Sequence, residues 1–230
     1  MERLTSAFGV LALLALAFAA CPRDRRRLVP WRTVGIGMLL LVGFALLILK
    51  TPVKVAFVYA NDAVEHLLNF TKQGAAFVFG SLTSSEAPTG FLFAFQILPT
   101  LVFFAALMSV LYHLRVMPFI VSLLGRSLSK VLGTSGAESF STAADIFVGQ
   151  TEAPLVIRPY IDKMTRSELM AIMVGGFANT AGGVLGAYIM MLQGYFPNIA
   201  AHLISASLLS APAAFIFAKV MVPEREDPLT

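Results

Sequence analysis

The sequence predicts an all-α integral membrane protein, with transmembrane helices arranged around a re-entrant helical hairpin and a discontinuous helix. Three observations carry that expectation. Of 230 residues, 57% are hydrophobic and 13% charged, with a mean hydropathy of +0.80; soluble domains carry about 25% charged residues. Several apolar stretches have the length needed to cross about 30 Å of hydrocarbon. Two of the apolar regions are interrupted by glycine, proline and polar residues where an ordinary span has none.

The composition excludes a disordered chain, a nucleic-acid-binding domain and a disulfide scaffold. Cys21 is the single cysteine and has no intrachain partner. The net charge of +4 is therefore read by its placement relative to a bilayer.

Apolar spans run from about Ser6 to Cys21, Val34 to Leu49, Phe91 to Leu111 and Ile199 to Met221. A further stretch, Leu169 to Leu192, is long enough but rich in glycine and holds Asn179 and Thr180. Arg23, Arg25, Arg26, Arg27 and Arg32 crowd the first short loop and place it in the cytoplasm. Arg115, Arg126 and Lys130 then fall inside, as do Lys219 and Arg225. The Arg158, Lys163 and Arg166 cluster is inside only if the apolar region Ala137–Ile157 enters and leaves by one face. A lipoprotein signal ending at Cys21 is the rival reading of the N-terminus, and the arginines that follow oppose export of such a segment.

The stretch from Lys50 to Gly90 mixes Lys54, Asp62, Glu65, His66 and Lys72 with apolar residues, which suits a helix lying in the interface. Met117 to Leu132, with Arg126 and Lys130, is a second such candidate. Residues 1–132 then form a scaffold, and 133–230 a unit containing the hairpin, the broken helix and the span that follows.

The hairpin is the informative element. Asp145 and Glu152 in a lipid-exposed helix would each cost about 2.5–3.5 kcal/mol near the midplane. Gly149 and Pro154 fall between and just after them. Proline is tolerated in a first helical turn, so two half-helices meeting at Gly149-Gln150-Thr151 explain both the break and the charge pattern. Freed backbone groups are permitted at membrane depth only where protein or water supplies partners. Gln150, Thr151 and Glu152 would then offer donors and acceptors to a polar, planar solute. The bland alternative is that Gln150 and Glu152 hydrogen-bond neighbouring helices.

Thr165-Arg166-Ser167-Glu168 has capping-box spacing and should start the next helix. That helix meets Gly175-Gly176, then Asn179-Thr180-Ala181-Gly182-Gly183 and Gly186. Gly182 and Gly186 could serve close packing. The polar residues inside the cluster point instead to local unwinding, the device by which discontinuous helices build ion and solute sites.

Gly149-Gln150-Thr151-Glu152-Ala153-Pro154-Leu155, with Arg158-Pro159-Tyr160 and Met164-Thr165-Arg166-Ser167-Glu168-Leu169, resembles the signature of the concentrative nucleoside transporters. The resemblance extends to Gly133-Thr134-Ser135 with Glu138-Ser139-Phe140, to Leu111-Tyr112-His113, to Gly182–Tyr188 and to the Ser207–Pro212 region. It implies one half of a transporter fold, in the multi-pass setting of a cell membrane, bacterial inner membrane included. It implies cation-coupled nucleoside symport by elevator-like movement within a homotrimer. Gln150, Thr151, Glu152 and Val184 inherit substrate binding. Asp145, Val148, Asn179 and Thr180 inherit the coupling cation, the last two through backbone carbonyls. Sodium-coupled members typically carry Asn where Asp145 stands, so the coupling ion is Na+ or H+, and no other cofactor is implied. Family members are close to twice this length. The chain is therefore expected to need a complementary C-terminal half and not to transport alone.

Two other classes compete. A non-transporting membrane subunit, or an inactive fragment, would use the hairpin for packing only. A membrane enzyme finds no support: His66, His113 and His202 lie on separate elements without metal-ligand spacing, and the serines near the hairpin lack an adjacent histidine base.

Overall fold

The computed structural model describes residues 2–50, 53–84, 90, 92–196, 198–226 and 228. Phe91, where the sequence reading starts a span, lies outside the described residues. All regular elements among the described residues are helices.

Two apolar helices, α1 (Glu2–Ala20) and α2 (Trp31–Lys50), flank the arginine-rich turn. Arg26 closes that turn. Its guanidinium donates to the carbonyls of Cys21 at 3.3 Å and Ala19 at 3.2 Å and sits over the Phe18 ring. A cation there satisfies carbonyls that the end of α1 leaves unpaired. The segment read as interfacial folds as one helix, α3 (Val53–Phe79), of 27 residues and about 40 Å.

The third apolar span is divided into α4 (Phe93–Gln96) and α5 (Leu98–His113). Pro99, lacking an N–H, sits in the first turn of α5, where the missing donor costs least. The second expected interfacial helix forms as α6 (Val116–Leu132) and stops at Gly133, whose φ of +68° suits a residue without Cβ.

The hairpin follows as α7 (Gly136–Asp145), an irregular tip over 146–152, and α8 (Ala153–Val156). Ala137 from its start and Ile157 from its end share one buried cluster with Ile172. The chain thus returns to the level from which it left, as a re-entrant hairpin must. The returning arm differs from the half-helix expected: α8 has four residues and passes into a 3-10 segment, Arg158–Lys163. Pro154 and Pro159 each occupy a first turn there, and Pro159 can neither donate to nor sterically tolerate the carbonyl one turn back.

The glycine-rich stretch is broken as expected, into α9 (Arg166–Ala178) and α10 (Gly182–Leu192). The capping box at the start of α9 is formed: the Thr165 amide donates to Glu168 at 2.8 Å, and the Glu168 amide donates to the Thr165 hydroxyl at 3.2 Å. Last comes α11 (Ile199–Met221).

The central post is α11. Ile216 and Val220 pack with Ala17, Cys21, Val29 and Val34 from the α1–α2 side. Phe215 and Ala218 pack with Leu132 of α6 and Ala171 of α9. A separate cluster joins Leu68 of α3, Phe104 of α5, Ile189 of α10 and Ala200 of α11. Two helical stretches among the described residues are long and apolar enough to cross a membrane, Phe93–His113 at a mean hydropathy of 2.1 and Ile199–Met221 at 1.7. The apolar portions of α1 and α2, Phe8–Ala20 and Trp31–Leu47, are shorter.

Candidate functional site

The hairpin tip and the break between α9 and α10 meet. The Gly182 amide donates to the Phe147 carbonyl at 3.0 Å. The Ser207 hydroxyl of α11 lies 3.3 Å from the Ile146 carbonyl and 3.2 Å from Asn179 Oδ1. Ser210 donates to the same Asn179 oxygen. Residues 145–148 and 179–182, which hold the four cation candidates, are therefore neighbours across a seam that α11 closes.

Glycines make this approach possible. A Cβ on Gly182 would stand 2.6 Å from the Phe147 carbonyl oxygen, and one on Gly176 would stand 2.9 Å from Gln150 Cβ. One on Gly175 would meet Asp145 Oδ2 at 3.1 Å and Thr142 Oγ1 at 3.3 Å. The sequence suggests that the whole glycine cluster marks unwinding. Gly175 and Gly176 are instead helical, and they form the surface on which the hairpin lies.

Asp145 is buried to 1% exposure, and neither carboxylate oxygen has a hydrogen-bond partner among the described residues. The Ser141 hydroxyl, one turn earlier on α7, is buried and unpartnered in the same way. Unmatched oxygens in a buried setting are costly, and their natural complement is a cation or a proton. Of the other candidates, Val148 and Thr180 are half-buried, and Asn179 donates through Nδ2 to the Gly175 carbonyl at 3.4 Å.

Gln150, Thr151 and Glu152 behave oppositely. They are exposed, while the backbone under them is fixed by bonds from the Glu152 and Ala153 amides to the Gly149 carbonyl. Val184, in the first turn of α10, is 38% exposed. Gln150 and Thr151 are thus exposed on this turn, and the exposed Glu152 folds its carboxylate back beside Gly149, where an added Cβ would meet Oε2 at 2.9 Å.

Sequence reasoning did not single out Ser207 and Ser210 as site residues. The resemblance reaches the Ser207–Pro212 region, but the spacing of the two serines assigns them no role until the helix is known to face Asn179. It also passed over a second capping box, in which the Ser135 amide donates to Glu138 at 2.9 Å. Ser135-Gly136-Ala137-Glu138 has the same spacing that identified Thr165 and Glu168, so that signal was available.

Discontinuous helices meeting end to end, with a buried carboxylate beside the seam and an exposed polar tip on the same hairpin, are the arrangement of membrane transporter folds. Two family descriptions match the chain: "Na+ dependent nucleoside transporter N-terminus" over residues 8–82 and "Nucleoside recognition" over residues 94–195. An "Uncharacterized transporter" of Haemophilus influenzae is 47% identical over 227 residues, 98% of this chain and 53% of that protein. "Sodium/nucleoside cotransporter 1" of Rattus norvegicus is 41% identical over 98% of this chain and 33% of that protein. Among solved structures, CNTnw in an inward-facing substrate-bound state is 42% identical, with a TM-score of 0.91 over 100% of this chain and 55% of that one. A CNTnw variant in an outward-facing state gives a TM-score of 0.90 over 99% of this chain and 54% of that one.

The chain belongs to the concentrative nucleoside transporter family, matching its N-terminal half, and is a membrane protein. It spans about half the length of the bacterial relative and a third of the mammalian one.

Proposed function

We propose that this chain takes part in cation-coupled nucleoside symport across a cell membrane and supplies the nucleobase-facing part of the site. The observation that carries the reading is the exposed Gln150-Thr151-Glu152 turn, with Gln150 against Gly176 and the preceding Gly149 against Ala181. An amide and a carboxylate side by side can pair with the donor–acceptor edge of a base, and Val184 offers an apolar flank. Ligands for the ribose would come from the part of the relatives that these 230 residues do not span. On this reading residues 133–230 carry the solute and 1–132 anchor them.

The coupling cation is assigned to Asp145, Val148, Asn179 and Thr180. Buried, unmatched Asp145 oxygens support sodium as the ion, because a hard cation takes oxygen ligands and a carboxylate supplies charge. The same oxygens could hold a proton, which makes proton coupling the alternative outcome of the test.

The experiment is uridine uptake into proteoliposomes by the assembled transporter, under an imposed sodium gradient or an imposed pH gradient. Uptake driven by sodium, and lost with Glu152→Gln, is the expected result. Uptake driven by the pH gradient alone would reassign the ion and leave the solute reading intact. A purified protein that binds no nucleoside under either condition would remove the proposal and leave the subunit role, in which the hairpin only packs.

A further inference from the structure

A lysine in the last turn of a membrane helix ordinarily extends toward water and headgroups. Lys219, in the last turn of α11, is turned inward and is 5% exposed. Its ammonium lies 2.8 Å from Glu138 Oε2 and donates to the Ser167 hydroxyl at 3.1 Å. Glu224 Oε2 stands 3.8 Å away and accepts from the Thr165 hydroxyl at 2.8 Å. An ammonium has three protons, and here they face three pieces of chain: the root of the hairpin, the start of α9 and the segment leaving α11.

The two glutamates of the capping boxes meet at this point. Glu138 caps α7, Glu168 caps α9, and both are buried. Lys219 thus sits where two helix N-termini converge with their carboxylates. A buried ion pair is weak evidence for stability, since apolar residues of similar volume often do as well. It does impose geometry, because a misplaced partner leaves an unmatched buried charge.

The pair acts together with a second contact on the same two helices. Ser207 of α11 reaches the Ile146 carbonyl at the end of α7, while Lys219 reaches Glu138 near its beginning. By helical rise these anchors are about 12 Å apart on α7 and about 18 Å apart on α11. One contact would leave the hairpin free to pivot, and two fix its orientation.

We propose that Lys219 is a positioning residue for the solute site: with Glu138, Ser167 and Glu224 it locks the hairpin root to α9 and α11, so that Gln150, Thr151 and Glu152 are carried on one body that does not flex. The solute role of those three residues rests on the function proposed above; the lock itself does not.

The test is a distance distribution between spin labels at Leu155→Cys on the hairpin and His202→Cys on α11, in a Cys21→Ser background, with uridine affinity measured in parallel on the assembled transporter. Lys219→Met should at least double the width of the distribution and weaken uridine binding about tenfold. Lys219→Arg, which keeps a long cation, should recover most of both. A Lys219→Met protein with a lower melting temperature but an unchanged width has lost only stability, and that result overturns the proposal. Should Lys219→Met not fold, the Glu138→Gln/Lys219→Met pair removes the closest carboxylate charge together with the cation and is read the same way: a doubled width supports the lock and an unchanged width refutes it. If the unsubstituted protein binds no uridine, the functional reading fails while the widths still judge the lock.

Discussion

The Gly182 amide donates to the Phe147 carbonyl across 3.0 Å, so each of two broken helices satisfies a group that the other's break has freed. A helix start leaves amides unpaired and a helix end leaves carbonyls unpaired, which the bilayer core does not tolerate. Joining the two ends meets part of that requirement and puts the hairpin tip and the unwound segment in fixed register. Ala in place of Gly182 would set a Cβ 2.6 Å from that carbonyl oxygen and 2.8 Å from Met108 Cε. We expect Gly182→Ala to destabilise the protein by about 1–3 kcal/mol. Gly74→Ala, which meets nothing within 4 Å toward the C-terminal end of α3, should be neutral or slightly stabilising. Thermal unfolding followed by circular dichroism distinguishes the two, and equal melting temperatures would mean that the seam is looser than described.

Asn179 Oδ1 is approached by Ser207 and Ser210. Asn179→Ala removes the acceptor and leaves both hydroxyls dependent on backbone carbonyls, Ile146 for Ser207 and Ser207 itself for Ser210. The expected cost is about 1–3 kcal/mol, together with a higher sodium concentration for half-maximal uridine binding. A sodium titration that superimposes on that of the unsubstituted protein would show that the Asn179 side chain is not needed to hold this segment for the cation.

Asp145 carries buried carboxylate oxygens without partners, an arrangement that disfavours folding unless a cation arrives. In sodium-free buffer at neutral pH, Asp145→Asn should raise the melting temperature, because a neutral amide is cheaper to bury than a charge. Sodium should stabilise the unsubstituted protein by mass action and stabilise Asp145→Asn less. Differential scanning fluorimetry with and without sodium reads both effects, and an identical sodium shift in the two proteins contradicts the assignment.

Glu152 is exposed at the hairpin tip, so Glu152→Gln should change stability by no more than about 0.5 kcal/mol. Uridine affinity should nevertheless fall about tenfold or more, the consequence of losing a hydrogen bond to a charged group. Isothermal titration measures the affinity and a thermal melt the stability. A loss of both in parallel would assign Glu152 to packing.

Thr165 has two duties, capping α9 and holding Glu224. Thr165→Ala should cost about 1 kcal/mol for the lost cap, whereas Thr165→Ser, which keeps the hydroxyl, should cost little. Chemical denaturation of the two variants in mild detergent gives the comparison, and equal losses would show that the methyl group matters more than the oxygen.

Much of this architecture can be read without coordinates, because its causes are local. Apolar runs, the Thr165–Glu168 capping spacing and the carboxylates within an apolar stretch all express constraints among residues a few positions apart. The break at Asn179–Ala181 is legible for the same reason. The returning arm of the hairpin is legible only in part: Pro154 predicts a helix start, but Pro159 fragments the helix that Pro154 begins. Lys219 has the appearance of an ordinary cytoplasmic anchor, since nothing adjacent in the chain indicates that its ammonium faces Glu138, 81 positions earlier.

By itself the sequence determined the solvent this protein inhabits, the places where its helices break and the chemical groups shown at those breaks. These follow from hydration energy and backbone donors and acceptors, which each short segment carries with it. The tertiary structure decided which broken ends join, which serines meet Asn179 and where the buried Lys219 finds its carboxylates. Such pairings depend on how whole helices pack around α11, and close packing is a property of surfaces assembled from distant parts of the chain.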